Sequence, residues 1–146
     1  MQTVLIEKEK MRVRVPAKTW QDAVRQAGAV LEEAGSITHD YTEAMVHAVE
    51  ELGPYMVIMP GFAIAHAAPS EAVRREDLSL ITLAEPVCFG SPNDPVSVIL
   101  CVACTDRESH VRALQRVALA LDEDDIFTRM AGAGTVDALF DILHHN

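Results

Sequence analysis

VSVILCVACTDRESH, residues 96–110, decides the fold. Its opening run, Val96 to Ala103, is β-branched and apolar on both faces of a strand. A strand buried on both sides belongs to a sheet with helices above and below it. The run passes directly into Thr105-Asp106-Arg107-Glu108, where Thr105 and Glu108 have the spacing of a helix capping box. The helix predicted from there carries His110, Leu114, Val117 and Leu121 on one face, widened by Val111 and Ala118. The expected fold is a single α/β domain over residues 1–146, with a mixed central β-sheet flanked by helices on both faces. His110 then points inward near a strand-to-helix edge, where ligand sites of open α/β sheets gather. The plain alternative is a core histidine with its hydrogen bonds satisfied.

Upstream, YMVIMPGFAIAHAAP covers residues 55–69. Tyr55 to Met59 reads as a strand, Pro60-Gly61 breaks it, and Phe62 to Ala67 reads as a second short strand. Alternation puts Ile64 and His66 on one face and Ala63, Ala65 and Ala67 on the other. The small alanines leave room around the imidazole for a bulky group or a partner surface. A buried histidine bonded to a backbone carbonyl is the plain alternative.

The remaining elements follow the same rules. Met11 to Val15 alternates apolar residues with arginine, as a half-buried strand does. Thr19 and Asp22 have the spacing of a cap and its reciprocal partner before the stripe Trp20, Ala23, Val24, Ala27, Leu31 and Ala34, with Gly35 as the stop. A second helix is expected from near Asp40, with His39 in the turn before it and His47 off its apolar stripe, ending at Gly53-Pro54. Leu78 to Leu83 reads as a buried strand, with Pro86 and Gly90 bracketing a separate short piece. The acidic run Asp122 to Asp125 leads into a short helix with Ile126, Phe127 and Met130. A last amphipathic helix carries Val136, Leu139, Phe140 and Leu143, and His144 and His145 fall at its C-terminus, where cations suit the dipole.

Composition narrows the function. The chain has 146 residues, 49% of them apolar, enough for a real core in one domain. A formal net charge of -10 repels phosphate backbones and anionic membrane surfaces, which argues against nucleic acid as a partner. No apolar run reaches the length of a membrane span and the start lacks the order of a signal peptide, so a cytoplasmic protein without membrane insertion is expected. Three cysteines, Cys88, Cys101 and Cys104, show no framework spacing. Cys101 and Cys104 form a C-x-x-C, but three residues apart on a strand they face opposite sides and share no metal; a redox pair is the alternative if Cys104 already belongs to the turn.

Two histidines at sheet edges suit phosphoryl transfer, with one imidazole as nucleophile and a second group stabilising the incoming charge. No nucleotide-binding glycine loop and no G-x-S-x-G elbow is present. A zinc site would need a third ligand that the sequence does not declare, and no cofactor or metal is implied.

Taken together, PGFAIAHAAP (60–69), LSLITLAEPVCFGSPNDPVSVILCVAC (78–104) and the later S-H-x-x-x-L at Ser109 to Leu114 resemble the enzyme IIA proteins of the phosphoenolpyruvate-dependent sugar phosphotransferase system, of the mannitol/fructose type. The wording GPYMVIMPGFAIAHAAP and NDPV is most similar to the ascorbate- and galactitol-type branch. The resemblance implies that His66 is the phosphoryl acceptor and that His110 hydrogen-bonds the phosphoryl group. It implies HPr as donor and a cysteine of enzyme IIB as recipient, with the membrane enzyme IIC completing uptake of a carbohydrate, of ascorbate type by the branch. A regulatory module of the same fold, whose phosphorylation state controls a partner protein, is the alternative function. The chain departs from the family's pattern at Ala65, usually proline, and at Ala68, often basic. Arg74, Arg75 and Arg107 are the candidates to replace the missing charge.

Overall fold

The structure is a computed structural model and describes residues 5–121 and 125–144. A 3-10 turn at Lys8–Lys10 leads into β1 (Met11–Val15). α1 (Trp20–Glu33), α2 (His39–Leu52), β2 (Val57–Met59), β3 (Phe62–Ala65), β4 (Asp77–Val87) and β5 (Val96–Ala103) follow. α3 (Arg107–Ala120), α4 (Ile126–Ala131) and α5 (Val136–His144) complete the chain. The five strands form one sheet in the order β1-β4-β5-β3-β2. β1 with β4 and β3 with β5 are parallel, while β4 with β5 and β2 with β3 are antiparallel. This is the mixed sheet the sequence predicts.

Alternation along the strands divides the interior into two cores. Ala63, Ala65, Ile81, Ile99 and Cys101 pack beneath Val24, Leu31, Tyr41, Met45 and Val49 of α1 and α2. Phe62, Ile64, Leu80, Val98 and Leu100 pack against Val117 of α3, Ile126 and Met130 of α4, and Leu139 and Leu143 of α5. Cys101 and Cys104 lie in different cores, as strand parity requires. Cys101 is wholly enclosed, and burial pushes its thiol up to about 12.

Several local expectations shift. β4 runs on through Pro86 to Val87 instead of stopping before it. The ladder with β5 is irregular between Thr82 and Val87, and Ala84, Glu85 and Pro86 are exposed there. A proline lacking an N–H is tolerated in such an interruption. β2 is shorter than the apolar run suggests, because Pro54 and the turn after it occupy Tyr55 and Met56. Pro60 and Gly61 close the β2–β3 hairpin, with Gly61 at φ 79. A positive φ after proline is what a type II turn requires. The Thr19 hydroxyl caps α1 by accepting from the Asp22 N–H at 3.1 Å. The reciprocal bond goes one residue further out, from the Lys18 N–H to Asp22 Oδ2 at 3.3 Å.

His144 is a bridge and not a dipole-pairing cation. Its Nδ1 donates to the Phe140 carbonyl at 3.0 Å, and its Nε2 accepts from the Leu5 N–H at 2.9 Å, which demands a neutral ring. His145 and the acidic residues Asp122 to Asp124 lie outside the described residues.

α1 and α2 pack closely at Gly28. A Cβ there would sit 2.5 Å from Thr42 Oγ1 and 2.8 Å from its Cγ2. Thr42 is buried and its hydroxyl donates to Glu32 Oε2 at 2.6 Å, so it has little freedom to yield. Gly28→Ala is expected to destabilise the fold by about 1–3 kcal/mol through overpacking. Thermal melting of Gly28→Ala and of Gly28→Ala/Thr42→Ala checks this. The second change should restore most of the loss, and an unshifted melting temperature in the single variant would contradict the close approach.

Candidate functional site

Parallel pairing creates the site. Ala65 at the end of β3 lies opposite Cys101 of β5, so both strands finish at the same edge of the sheet. His66 is the first residue past β3. The chain leaving β5 turns at Asp106 and enters α3 beside it. Asp106, not Thr105, is the N-cap: its carboxylate accepts from the Ser109 N–H at 2.8 Å. Thr105 is one residue too early for that bond, and an aspartate offers a charged acceptor to the positive end of the helix. His110 accordingly belongs to the first turn, its N–H bonded to the Asp106 carbonyl at 3.1 Å. The face of α3 turned to the core runs through Ser109, Ala113 and Val117, with His110 and Leu114 flanking it. Val111 and Ala118, expected to widen the apolar stripe, are exposed.

The two histidines come together. Their ring centroids are 5.2 Å apart at an interplanar angle of 55°. His66 Nδ1 lies 2.8 Å from the Ile64 carbonyl oxygen. A carbonyl only accepts, so Nδ1 carries the proton and Nε2 keeps a lone pair. The bond that holds the ring therefore also selects which nitrogen keeps its lone pair. Tyr55 stands edge-on to the ring at 5.1 Å between centroids and donates its hydroxyl to the His66 carbonyl at 2.8 Å. The Tyr41 hydroxyl accepts from the Ala67 N–H at 3.0 Å and turns its own proton toward the Val102 and Ala67 carbonyls. Both tyrosines fix the backbone on which His66 rides. The sequence hid them inside apolar stripes, and their hydroxyls were the only signal.

Both rings resist protonation. Burial lowers the His66 pKa most; the Ile64 carbonyl opposes the shift, and the neighbouring His110 adds to it. Burial also lowers the His110 pKa. His110 Nδ1 is buried with no protein partner among the described residues. Such an atom costs about 1–3 kcal/mol until something bonds it.

His66 stands between two concavities. One, of about 370 Å³, is walled by Leu52, Tyr55, Ala68, Arg107 and His110. The other, of about 340 Å³, is an apolar groove between the β2–β3 hairpin and α3, lined by Ile58, Met59, Ile64 and Leu114 among others. Of the three candidate arginines only Arg107 reaches the histidines' recess. Arg75 is committed to Ser36 Oγ and the Ala34 carbonyl, and Arg74 is exposed elsewhere. Phe62, at the start of β3, is buried and stacked on Phe127 at 4.3 Å between centroids. No group of three His, Cys, Asp or Glu among the described residues could hold a metal ion.

Residues 4–146 match the family of the phosphoenolpyruvate-dependent sugar phosphotransferase system, EIIA 2. The chain belongs to that family. As an EIIA 2 member it is a component of a sugar phosphotransferase system. It is 35% identical over 142 residues to the ascorbate-specific PTS system EIIA component of Escherichia coli (strain K12), covering 95% of this chain and 92% of the relative. The crystal structure of a putative PTS IIA domain from Streptococcus pyogenes M1 GAS superposes with a TM-score of 0.85 at 33% identity, over 93% of this chain and 89% of that one. A chain in the Escherichia coli complex of enzyme IIAMTL and phosphorylated enzyme IIBMTL shares the fold, with a TM-score of 0.84 at 23% identity over 97% and 98% of the two chains. No helix among the described residues of this EIIA protein is long and apolar enough to cross a membrane.

The lowered pKa values fix a pH dependence. The unfolded chain takes up protons near the ordinary histidine value of 6.5, whereas the folded rings do so only at lower pH. Stability from the neutral rings is thus complete above 6.5 and is lost as pH falls toward the folded values. NMR titration of the imidazoles should give midpoints below 6.5 for both, with His66 protonated on Nδ1 in its neutral form. The double variant His66→Asn/His110→Asn should lose less stability between neutral and mildly acidic pH than the parent does.

Proposed function

We propose that this EIIA protein carries a phosphoryl group on His66 between HPr and an enzyme IIB. The observation that carries the reading is the bond from His66 Nδ1 to the Ile64 carbonyl, which leaves Nε2 as the only nucleophilic nitrogen of that ring. In the first step Nε2 attacks the phosphorus of phosphorylated HPr. The P–N bond to HPr breaks as the new one forms, and HPr recovers its lone pair. The imidazole becomes cationic while its Nδ1–H stays bonded to Ile64, whose carbonyl dipole favours that charge. In the second step a cysteine thiolate of enzyme IIB attacks the same phosphorus, the P–N bond breaks, and His66 returns to its neutral form. Enzyme IIC then completes uptake with phosphorylation of the carbohydrate. An ascorbate-type substrate is favoured by the 35% identical relative.

His110 is the stabilising group. The rings are too close for a phosphoryl group to lie between their centres, so it occupies the recess that both line. A neutral His110 donates one N–H to a phosphoryl oxygen there. Docking uses the exposed apolar residues that border the two concavities: Leu52 at 72%, Ile58 at 49% and Met59 at 45% exposure.

Incubation with phosphoenolpyruvate, enzyme I and HPr, followed by intact-mass measurement, tests the reading. The protein should gain the mass of one phosphoryl group, acid-labile and alkali-stable. His66→Ala should gain none while keeping its fold, and full labelling of that variant would refute the assignment. His110→Ala should still be labelled but pass the group on about ten- to a hundredfold more slowly, the equivalent of one charge-assisted hydrogen bond. Ile58→Asp and Met59→Asp should slow labelling by HPr, through docking alone.

A further inference from the structure

We infer that Arg107 is the cation that neutralises the phosphoryl group on His66. The inference rests on the phosphohistidine reading above and adds a residue that the reading lacks. A phosphoryl group brings up to two negative charges into a recess whose two imidazoles are both biased toward neutrality. The rest of the wall offers little to it. Ala48, Leu52, Ala67, Ala68 and Pro69 carry no charge, and the Tyr55 hydroxyl is already donated to the His66 carbonyl. Arg107 is the one permanently charged side chain among the described residues lining the recess.

Its position suits the task. Arg107 is the first residue of α3 and His110 is three residues on, so the two side chains project from the same side of the helix. Asp106 fixes both by capping the helix at Ser109. No ion pair engages Arg107 among the described residues, while its neighbour Glu108 pairs with Arg112 at 3.4 Å. A guanidinium offers a planar fork of donors matched to phosphoryl oxygens, which a lysine ammonium does not. Its place at the positive end of the helix adds to the same field.

A small donor tests this without HPr, so that docking does not enter. With phosphoramidate, His66 Nε2 attacks phosphorus, the P–N bond of the donor breaks, and ammonia leaves with the proton it needs from water. Phosphohistidine formation would be followed by intact mass and phosphorus NMR in the full chain, alongside imidazole spectra as a fold control. Arg107→Ala should be labelled about ten- to a hundredfold more slowly than the parent. Arg107→Lys should recover part of the rate, and Arg112→Ala should match the parent. The parent's rate should fall with added salt more steeply than that of Arg107→Ala. Labelling of Arg107→Ala at the parent's rate would overturn the inference and leave the phosphohistidine reading standing. Failure of the parent to form phosphohistidine on His66 with either phosphoramidate or HPr would overturn both.

Discussion

The parallel register of β3 on β5 is the constraint on which the molecule depends. Because Ala65 pairs with Cys101 in parallel register, the two strands end on the same side of the sheet, β5 running on to Ala103, and the residues that leave them emerge near one another. An antiparallel pairing would have sent His66 and α3 to opposite edges. Parallel neighbours need a long connection, and here it is β4, inserted antiparallel on the far side of β5. β4, one of the strands that make the sheet mixed, thus also lets β3 and β5 run together. Two tyrosines reinforce the junction. Tyr41 reaches from α2 to Ala67 and Val102 at once, tying the ends of both strands to one helix.

Much of this was legible because burial on two faces leaves a strong pattern. β5 begins and ends where its apolar run does, and the alternation of Ala63, Ile64 and Ala65 assigns each to the correct core. The pairing of His66 with His110 followed from the resemblance, supported by the edge positions of both. What the pattern missed are places where two chemically equivalent choices compete. Thr105 and Asp106 are both good caps, and only the path of the chain leaving β5 selects the second. Pro86 normally ends a strand, yet the irregular stretch of the ladder between Thr82 and Val87 absorbs it. Val111 and Phe62 are both large and apolar, but one faces water and the other stacks on Phe127. Hydrophobicity alone does not separate them; the helix or strand face on which each falls does.

The site trades stability for readiness. Burying two imidazoles against each other disfavours protonation of either, and one buried nitrogen of His110 lacks a protein partner. A structural histidine in this chain is handled differently. His144 has both nitrogens bonded, one to Phe140 and one to Leu5, and nothing is left for a ligand. The contrast separates a histidine whose bonds are all made within the fold from a pair that keeps bonding capacity unused, which is what the phosphohistidine reading requires.

On the proposed reading of His66 as a phosphoryl carrier, the site must also let the group go. Strong neutralisation of the phosphoryl charge would stabilise the intermediate along with the transition states on either side, and uniform stabilisation does not speed turnover. A buried, fully paired cation at His66 would hold the group too well. Arg107 sits instead at an exposed helix start, where water and salt weaken its field. Ala68 and Ala65 keep the other side of the histidine small and uncharged. On the assignment of Arg107, charge enters this site from one direction only, from the first turn of α3. The opposite wall, with Leu52 exposed on α2, and the groove edged by Ile58 and Met59 remain apolar and open to a partner's surface. An incoming donor or acceptor then meets the phosphorus across an apolar contact that excludes water, while the single exposed guanidinium balances the charge only as far as transfer requires.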